Sequence, residues 1–376
     1  MKILIFSWRG PKHPHAGGAE IVTHEHAKAW IKAGHKVSLF TSYFPGAKSQ
    51  EIIDGVNIIR KGGQIISVQF WAFIWYLFQN KEDFDLVIDQ FHGIPFFTPL
   101  FVKTKKLAFI HEVTKEVWKY NPLPQPLQTL VGKIGAFCEP YIFKLFYLKI
   151  PFMTVSDSTK NELAEIGISK QNITVIHNGI MGPKKSIQFK KDKNTITFIG
   201  ALARDKGIED ALIVFSKLSK QNSDFRFWVI GKHDDEYIVY LKALTAELGL
   251  TKKVKFWGFV SESKKFELLG KSYLVINPSV REGWGLTVME AGLMGVPTVA
   301  YNVAGLKDTI INGKTGLLTK INRPEMLSDL VLELLRNNKK YQTLSKGVRS
   351  WSSKFKWEIS TKKSRLLIEK ITRPLV

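Results

Sequence analysis

The chain has 376 residues, 44% of them hydrophobic and 23% charged, which excludes a wholly disordered or collagen-like protein and favours two domains. Its 55 lysines and arginines against 33 aspartates and glutamates give a formal net charge of +22, typical of a protein with a polyanionic partner: nucleic acid, an anionic membrane or phosphorylated substrates. Cys138 is the single cysteine, so the chain cannot form an intramolecular disulfide or a cysteine metal cluster, and a reducing, cytoplasmic setting is favoured.

The first half of the chain alternates short apolar runs with helical segments, which predicts a doubly wound sheet. A Gly-rich loop follows the first strand and leads into a helix from about Ala19 to Ala33. The most apolar window, Ile65–Phe78, has 14 residues, fewer than the roughly 20 that a membrane-spanning helix needs. The predicted strands are Lys2–Ser7, Lys36–Thr41, Leu86–Asp89, Lys106–Ile110 and Phe152–Val155.

The same alternation restarts in the second half, after a polar, basic segment, Gly182–Lys193, that we interpret as a linker. Two Rossmann-like domains that face each other across a cleft are the simplest architecture. Ligands of such sheets bind beyond the carboxyl ends of the strands. The predicted strands are Thr195–Gly200, Phe225–Gly231, Lys253–Trp257, Tyr273–Asn277 and Thr298–Ala300, and the predicted helices are Ile208–Ser219 and Glu236–Leu248.

Two of the loops that follow strands combine features of an anion site. Gly17 and Gly18 precede the first helix, where backbone N–H groups and the helix dipole favour a negative charge. Arg204 and Lys206 follow the strand Thr195–Gly200 and are suited to holding a phosphate. Taken alone, the first pattern is equally compatible with a plain turn and the second with surface charge. The G-x-G-x-x-G motif is absent, which argues against a dinucleotide dehydrogenase.

The strongest pattern is the segment Asn277–Ala300. Gly283 and Gly285 flank Trp284 just before a helix that begins near Leu286, an arrangement that directs backbone N–H groups and a helix dipole toward an anion. Glu282 lies in the loop and Glu290 eight positions later in the helix. Both carboxylates are suited to accepting hydrogen bonds from hydroxyl groups next to a bound phosphate.

These motifs resemble the retaining nucleotide-sugar glycosyltransferases of the GT-B type, glycosyltransferase family 4 (glycosyl transferases group 1). The resemblance implies an N-terminal, acceptor-side domain over residues 1–182, joined by a crossover helix at about 356–376, and a nucleotide-sugar-binding domain over 183–355. The matching motifs occur in the family's order: GGAE at 17–20, G-H-x-V at 34–37, VSDSTK at 155–160, HNGI at 177–180, K-G at 206–207, E-G-W-G-L-T-x-x-E-A at 282–291, G-x-P at 295–297 and T-G-L-L at 315–318.

In the second domain, the resemblance implies that Glu282 contacts hydroxyls of the donor sugar and that Glu290 contacts the nucleotide ribose. Lys206 would neutralise the leaving diphosphate. Val260, next to Phe259, would contact the nucleobase through its backbone. Backbone N–H groups facing the sugar and the diphosphate would come from Gly283, Trp284, Gly285, Leu286 and Thr287.

In the first domain, the resemblance implies that Gly17 and Gly18 border the diphosphate and that His111 contacts the transferred sugar. One departure concerns the second cation. The family usually has Gly-Arg where this chain has Gly200-Ala201, and we expect Arg204 to reach the phosphate instead.

The implied reaction passes through an oxocarbenium-like sugar while negative charge builds on the departing nucleoside diphosphate, and fixed cations and amides stabilise that charge. We expect no metal and no other cofactor. Asp83-Phe84-Asp85 has the spacing of a metal-binding D-x-D motif, but it precedes its strand and so lies at the wrong end of the sheet. The resemblance also implies that the anomeric configuration of the sugar is retained. The pattern fits glucose- and mannose-type sugars and does not identify the nucleobase of the donor.

We expect a hydroxyl acceptor that is lipid-linked or part of a growing cell-surface glycan. The aromatic segments Ile65–Phe78, Phe96–Phe101 and Pro140–Phe152 are either buried helices or a surface that meets lipid. Residues 336–376 hold 12 Lys/Arg and two acids, which fits a solvated helix or contact with anionic lipid at the inner face of the membrane. No nucleic acid is expected, because no binding motif accompanies the charge.

Two other classes of protein remain compatible with the pattern. One is a different sugar-nucleotide enzyme of the same fold, an epimerase or a glycogen-synthase-like polymerase. The other is a non-catalytic basic protein that binds membrane or nucleic acid.

Overall fold

The computed structural model describes residues 1–64, 67–121, 123–183 and 189–373, and the chain divides into two compact units. Unit 1 combines Met1–Gly179 with Trp357–Val376, and unit 2 is Ile180–Lys356. The first unit therefore ends three residues before the predicted boundary at 182, and the last helix counts with the first unit.

Unit 1 is an eight-stranded sheet with helices between its strands. Helices α2 and α4 each continue as a π-helical turn, over Trp75–Gln79 and Phe143–Tyr147. The strands are β1 (Lys2–Ser7), β2 (Lys36–Thr41), β3 (Gln50–Ile53), β4 (Val56–Arg60), β5 (Leu86–Phe91), β6 (Lys105–Ile110), β7 (Phe152–Thr154) and β8 (Ile173–Val175). The α-helices are α1 (Gly18–Lys32), α2 (Ser67–Ile74), α3 (Thr98–Phe101), α4 (Leu127–Ile142) and α5 (Asp157–Ile166), and 3-10 turns span Lys115–Tyr120 and Lys170–Asn172.

The strand order of this sheet is β3-β4-β2-β1-β5-β6-β7-β8, and among these strands only the β3–β4 pair is antiparallel. The sequence pattern did not predict this hairpin. Asp54 and Gly55 form its turn, both with positive φ (49° and 86°), the conformation that a two-residue primed turn requires. The Asp-Gly dipeptide was therefore the signal that could have revealed it. The strand order reverses between β1 and β5, which places the topological switch point there.

Strand β5 is two residues longer than predicted, because its polar residues are buried and hydrogen-bonded. Asp89 accepts hydrogen bonds from Thr98 Oγ1 (2.8 Å) and Tyr147 Oη (2.6 Å), and burial raises the pKa of this carboxyl. Gln90 bonds to Ser7 of the neighbouring strand. The predicted strand ends where the apolar run gives way to polar residues, whereas hydrogen bonds to these residues allow the real strand to continue.

Unit 2 is a six-stranded sheet, and every pairing among its strands is parallel. Its strand order, β11-β10-β9-β12-β13-β14, reverses between β9 and β12. The strands are β9 (Thr195–Ile199), β10 (Arg226–Ile230), β11 (Val254–Gly258), β12 (Leu274–Asn277), β13 (Thr298–Ala300) and β14 (Gly316–Leu318). The helices are α6 (Ile208–Gln221), α7 (Asp235–Glu247), α8 (Glu262–Lys271), α9 (Leu286–Leu293), α10 (Leu306–Thr309), α11 (Pro324–Arg336) and α12 (Asn338–Ser352), with a 3-10 turn over Arg204–Lys206.

The fold class predicted from the sequence, two Rossmann-like α/β domains with parallel sheets, is confirmed. Strand bounds agree with the predictions to within two residues, because the apolar runs are strands buried on both faces. The core of unit 2 lies between its sheet and helices such as α6, where the rings of Phe215 and Phe227 stack 5.0 Å apart.

The predicted linker Gly182–Lys193 requires a correction where the structure describes it. Residues 184–188 lie outside the described ranges. Phe189 packs against a buried cluster of unit 2. Lys191 donates a hydrogen bond to the carbonyl of Met294 (3.1 Å), and burial lowers its pKa to about 7. The described end of this segment is therefore part of the packed domain, because Lys191 satisfies a carbonyl at the C-terminal end of α9.

The last helix, α13 (Trp357–Thr372), packs against α1 of unit 1. Its Ser364 hydroxyl lies 3.1 Å from Trp30 Nε1 and 2.9 Å from His26 Nδ1. Within the described ranges, no helix combines the length and the apolar character that crossing a bilayer requires.

Candidate active site

The switch point of unit 2 brings together two loops that the sequence singled out. Strands β9 and β12 are neighbours in the sheet, and both loops leave their carboxyl ends. Lys206 closes the 3-10 turn that follows β9, and Glu282 lies between β12 and α9. Open α/β sheets bind ligands at this position.

Two glycines allow close backbone contacts at these loops, Gly207 in the first and Gly305, before α10, against the second. Gly207 has φ +69°, and a Cβ there would lie 2.1 Å from the carbonyl oxygen of Pro278. Gly305 has φ +76°, and a Cβ there would lie 2.0 Å from the carbonyl oxygen of Glu282. The loops are also joined directly, because the Val280 N–H donates to the Asp205 carbonyl at 2.8 Å. Only glycine permits these close approaches.

The side chains of Lys206 and Glu282 form an ion pair, with 3.1 Å between Nζ and Oε1. Lys206 Nζ also lies 3.5 Å from Asp205 Oδ2 and 3.4 Å from the carbonyl oxygen of Arg281. The Ser279 hydroxyl donates to Glu282 Oε1 at 2.9 Å. The two side chains are 22% and 18% exposed, so each is held in place yet remains open to a ligand.

Helix α9 begins directly after this pair. Gly285 has the left-handed conformation (φ +72°) that turns the chain into the helix at Leu286. The first N–H groups of a helix have no partner within it, so those of Leu286 and Thr287 suit an anionic ligand. The Trp284 ring is buried and packs edge-on against Phe355 at 5.2 Å, which anchors the loop.

Glu290 lies one helical turn into α9 and forms an ion pair that the sequence did not reveal. Its Oε1 is 2.7 Å from Lys265 Nζ of helix α8. Burial raises the pKa of the Glu290 carboxyl, and the adjacent Lys265 ammonium opposes that shift. The carboxylate predicted to meet a ribose is thus already charge-paired, which orients it.

Arg204 does not join the Lys206–Glu282 pair. Its guanidinium lies over the rings of Tyr237 and Tyr240 on α7, 5.7 and 5.6 Å from their centroids. Such cation–π contacts hold an arginine side chain in a defined orientation. The role expected for Arg204 at a phosphate remains a prediction.

Val260 follows strand β11 on a loop of its own. Its neighbour Phe259 is 73% exposed, and the Lys232 ammonium lies 4.9 Å from the centre of that ring. Val260 itself packs against a buried cluster of unit 2. The loop therefore offers an exposed aromatic ring next to a fixed backbone.

In unit 1, Gly17 and Gly18 lie at the N-terminus of α1, after strand β1. The Gly17 N–H donates to Glu20 Oε2 at 2.7 Å, and the other oxygen of Glu20 accepts from Arg9 Nε at 3.0 Å. A carboxylate from within the helix thus occupies one N–H group of the predicted anion site. This contact of Glu20 was not predicted from the sequence, although a glutamate three residues after a helix cap signals it.

His111 directly follows strand β6, as predicted. Burial lowers the pKa of its imidazole to about 3, with smaller contributions from His26 and His92. Its Nε2 is buried without a hydrogen-bond partner in the described structure, and its ring packs 4.4 Å from that of Phe109. A neutral imidazole in this position is suited to contacting a hydroxyl group. Among the described residues, no group of three His, Cys, Asp or Glu side chains is arranged to hold a metal ion.

Two family sequence models match the chain. Residues 16–181 match Glycosyltransferase Family 4, and residues 183–351 match Glycosyl transferases group 1. A full-length relative, an uncharacterised glycosyltransferase of Methanocaldococcus jannaschii, is 24% identical over 401 aligned residues that cover 99% of both chains.

Solved structures are similar over the whole chain as well. WaaG, a glycosyltransferase involved in lipopolysaccharide biosynthesis, has a TM-score of 0.77 at 16% identity over 97% of this chain and 99% of its own. HepE of Anabaena in complex with UDP-glucose has a TM-score of 0.73 at 15% identity over 98% and 100%. At these identities the likeness concerns the fold, which is GT-B. The two family models leave residues 1–15, 182 and 352–376 unmatched, so each half of the chain matches a glycosyltransferase domain model, on a fold that is GT-B.

Proposed function

We propose that this glycosyltransferase is a retaining, metal-independent hexosyltransferase that moves a glucose- or mannose-type sugar from a nucleoside diphosphate to a hydroxyl acceptor. The observation that carries the proposal is the Lys206–Glu282 pair, 3.1 Å apart at the switch point of unit 2 and directly before the glycine-led helix α9. The cation and the helix N–H groups suit the diphosphate of the donor and the negative charge that develops on it. The carboxylate suits the hydroxyls of the sugar.

In this proposal, Lys206 and the N–H groups of α9 stabilise the leaving diphosphate, because fixed positive groups offset the charge that builds there. Glu282 accepts hydrogen bonds from sugar hydroxyls, and its position is set by Ser279. Glu290, oriented by Lys265, accepts hydrogen bonds from the ribose. Gly17, Gly18 and His111 are the corresponding candidate contacts of unit 1.

The reaction breaks the bond between the anomeric carbon and the β-phosphate oxygen. The acceptor oxygen forms its bond to the anomeric carbon on the same face, and its proton passes to the leaving phosphate oxygen. In this scheme the cations of the protein take the place of a metal. His111, whose imidazole is held neutral by burial, would hydrogen-bond a hydroxyl of the transferred sugar.

Similar proteins support the choice of substrates. HepE was solved with UDP-glucose, which supports a nucleoside diphosphate hexose as donor. WaaG takes part in lipopolysaccharide biosynthesis, which supports an acceptor on a lipid-linked or growing cell-surface glycan. We place the reaction in the cytoplasm, at an anionic membrane surface that the net charge of +22 would favour.

The experiment that tests this function begins with thermal-shift measurements on UDP, GDP, ADP and their hexoses. The donor that stabilises the chain is then incubated with candidate glycolipid acceptors in EDTA, and the anomeric configuration of the product is read by NMR. We expect transfer with retained configuration. Inverted product, activity only with added metal, or epimerised donor without transfer would each contradict the proposal. Glu282→Gln is expected to abolish transfer, whereas a non-catalytic binding protein would be indifferent to it.

A further inference from the structure

The outer side of α4 and of the π-helical turn after it carries a row of exposed apolar side chains. They recur every three or four residues and therefore share one side of the helix. Each is between 42% and 75% exposed. We name this row the α4 ridge, and it consists of Leu127, Leu130, Ile134, Phe137, Tyr141, Leu145 and Leu148.

The opposite side of the same helix already provides its packing. A Cβ on Gly135 would lie 2.4 Å from the ring of Trp118, so the helix is pressed directly against that tryptophan. The buried carboxylate of Glu139 accepts hydrogen bonds from the backbone N–H of Thr114 (2.8 Å) and from Trp118 Nε1 (3.2 Å). The inner side thus fixes the helix, and the ridge contributes nothing to the core. A surface helix normally carries polar residues there.

Neighbouring elements extend the apolar surface. Phe70, Phe73 and Leu77 of α2 and its π-helical turn, and Leu100 of α3, are also exposed. Ring contacts link these elements: Phe73 to Phe101 of α3 at 5.2 Å, and Phe97 to Phe146, in the π-helical turn after α4, at 5.6 Å. Exposed apolar side chains grouped on neighbouring elements of a folded domain mark an interaction site.

The charges beside the ridge identify the partner. Residues 117–150 contain four lysines and one acid, and that acid is the buried Glu139. Lys133 and Lys144 are exposed on the same helical segment as the ridge, and Lys149 is exposed in the turn directly after it. Apolar side chains with lysines at their flanks, and no exposed carboxylate among them, complement an anionic lipid surface. A second copy of the chain fits less well, because it would oppose lysine to lysine.

We propose that the α4 ridge lies in the interfacial region of an anionic bilayer, with α4 parallel to the membrane plane. Residues 127–148 span about 30 Å as a helix, long enough to make this an extended contact. The apolar side chains enter the acyl boundary, and the lysines meet lipid phosphates. The inference rests on the proposed function in one respect: a lipid-linked acceptor gives the enzyme a reason to be at a membrane.

The first test uses vesicles of phosphatidylcholine and phosphatidylglycerol in equal parts. Phe137→Gln combined with Leu145→Gln is compared with Ile52→Gln combined with Val239→Gln, which removes exposed apolar side chains outside the ridge. We expect the ridge variant to lower the vesicle partition coefficient at least about tenfold in co-sedimentation, since two apolar groups leave the membrane. The control pair is expected to bind as the unchanged chain does.

The second test asks whether vesicle binding depends on the lysines beside the ridge or on the total charge of the chain. Lys133→Glu with Lys144→Glu is compared with Lys362→Glu with Lys363→Glu, two exposed lysines of α13. Both variants change the net charge equally. We expect the first to abolish binding and the second to weaken it only slightly. Equal losses would overturn the assignment, because they would make binding a matter of total charge.

Two further readouts separate this inference from the proposed function. Donor thermal shifts on every variant report the donor site independently of lipid. Unchanged donor shifts with no vesicle binding by any form of the chain would overturn the ridge and leave the donor chemistry standing. Sedimentation analysis covers the alternative occupant: a dimer that the ridge substitutions dissociate, without any lipid binding, would show that a second copy covers the ridge.

Discussion

Lys206→Met removes the ammonium at the switch point of unit 2 while keeping a side chain of similar length. In the structure that ammonium lies 3.1 Å from a Glu282 oxygen and 3.5 Å from an Asp205 oxygen. At an effective dielectric constant of about 20, unit charges at 3–4 Å interact by roughly 4–5 kcal/mol. The Lys206 ammonium would attract a bound diphosphate with an energy of the same order. The attraction would be strongest in the transition state, when negative charge builds on the leaving diphosphate.

We therefore expect Lys206→Met to lower kcat by about 10²–10³, or roughly 3–4 kcal/mol of activation free energy, as for other single contacts to a developing charge. The assay is steady-state release of nucleoside diphosphate with the donor found by thermal shift. Lys217→Met is the matched control: it breaks a Lys–Glu pair of 2.7 Å with Glu325 in the same unit, but an exposed one. Its kcat and stability are expected to stay unchanged, because exposed pairs contribute little.

One result would refute this reasoning: Lys206→Met, folded and binding donor, with a kcat close to that of the unchanged chain while Glu282→Gln is inactive. The ammonium would then serve only to hold Glu282, and the leaving diphosphate would be stabilised elsewhere, with Arg204 as the first candidate. A fall in kcat for Lys217→Met would equally undermine the electrostatic argument.

Three further predictions concern the fold around the site. Gly305→Ala places a Cβ 2.0 Å from the Glu282 carbonyl, so we expect a loss of at least ~3 kcal/mol in urea unfolding and of the donor thermal shift, whereas Gly313→Ala, with the same φ of +76° and open space around it, should cost about 1 kcal/mol and keep the shift. His26 has a pKa lowered by burial to about 3, so the unfolded chain binds more protons between pH 3 and 6.5 and stability rises with pH in that window; His26→Gln should reduce the slope by about 1.4 kcal/mol per pH unit, and an unchanged slope would contradict the burial argument. Lys191, with a pKa lowered by burial to about 7, should make stability rise with pH between about 7 and 10.5, and Lys191→Met should remove that rise in urea titrations across the window.

Much of the fold was predictable because parallel strands that are buried on both faces consist of short runs of apolar residues. The positions of Lys206 and Glu282 were predictable for a related reason: each follows such a run, and the doubly wound topology brings the carboxyl ends of β9 and β12 together. The hairpin β3–β4 was missed because β3 is short and half-exposed, although the Asp-Gly turn marks it.

Contacts that depend on helix packing were not predictable. Lys265 and Glu290 are 25 positions apart on different helices, and their pairing follows from how α8 lies beside α9. Arg204 lies over two tyrosine rings of α7 and not beside the Lys206–Glu282 ion pair, a choice of partner that spacing along the chain does not reveal. Lys191 lies in a lysine-rich segment that has the composition of a solvated linker. In the structure, however, its ammonium donates a hydrogen bond to the carbonyl of Met294.

The attachment of α13 to α1 has a consequence for the order of events during synthesis. The Ser364 hydroxyl that contacts His26 and Trp30 leaves the ribosome only after all of unit 2 has been made. At roughly 5–20 residues per second, the translation of unit 2 takes on the order of 10 to 35 s. During that interval the side of α1 that carries His26 and Trp30 is not yet covered by α13. The domain that is made first is thus completed last.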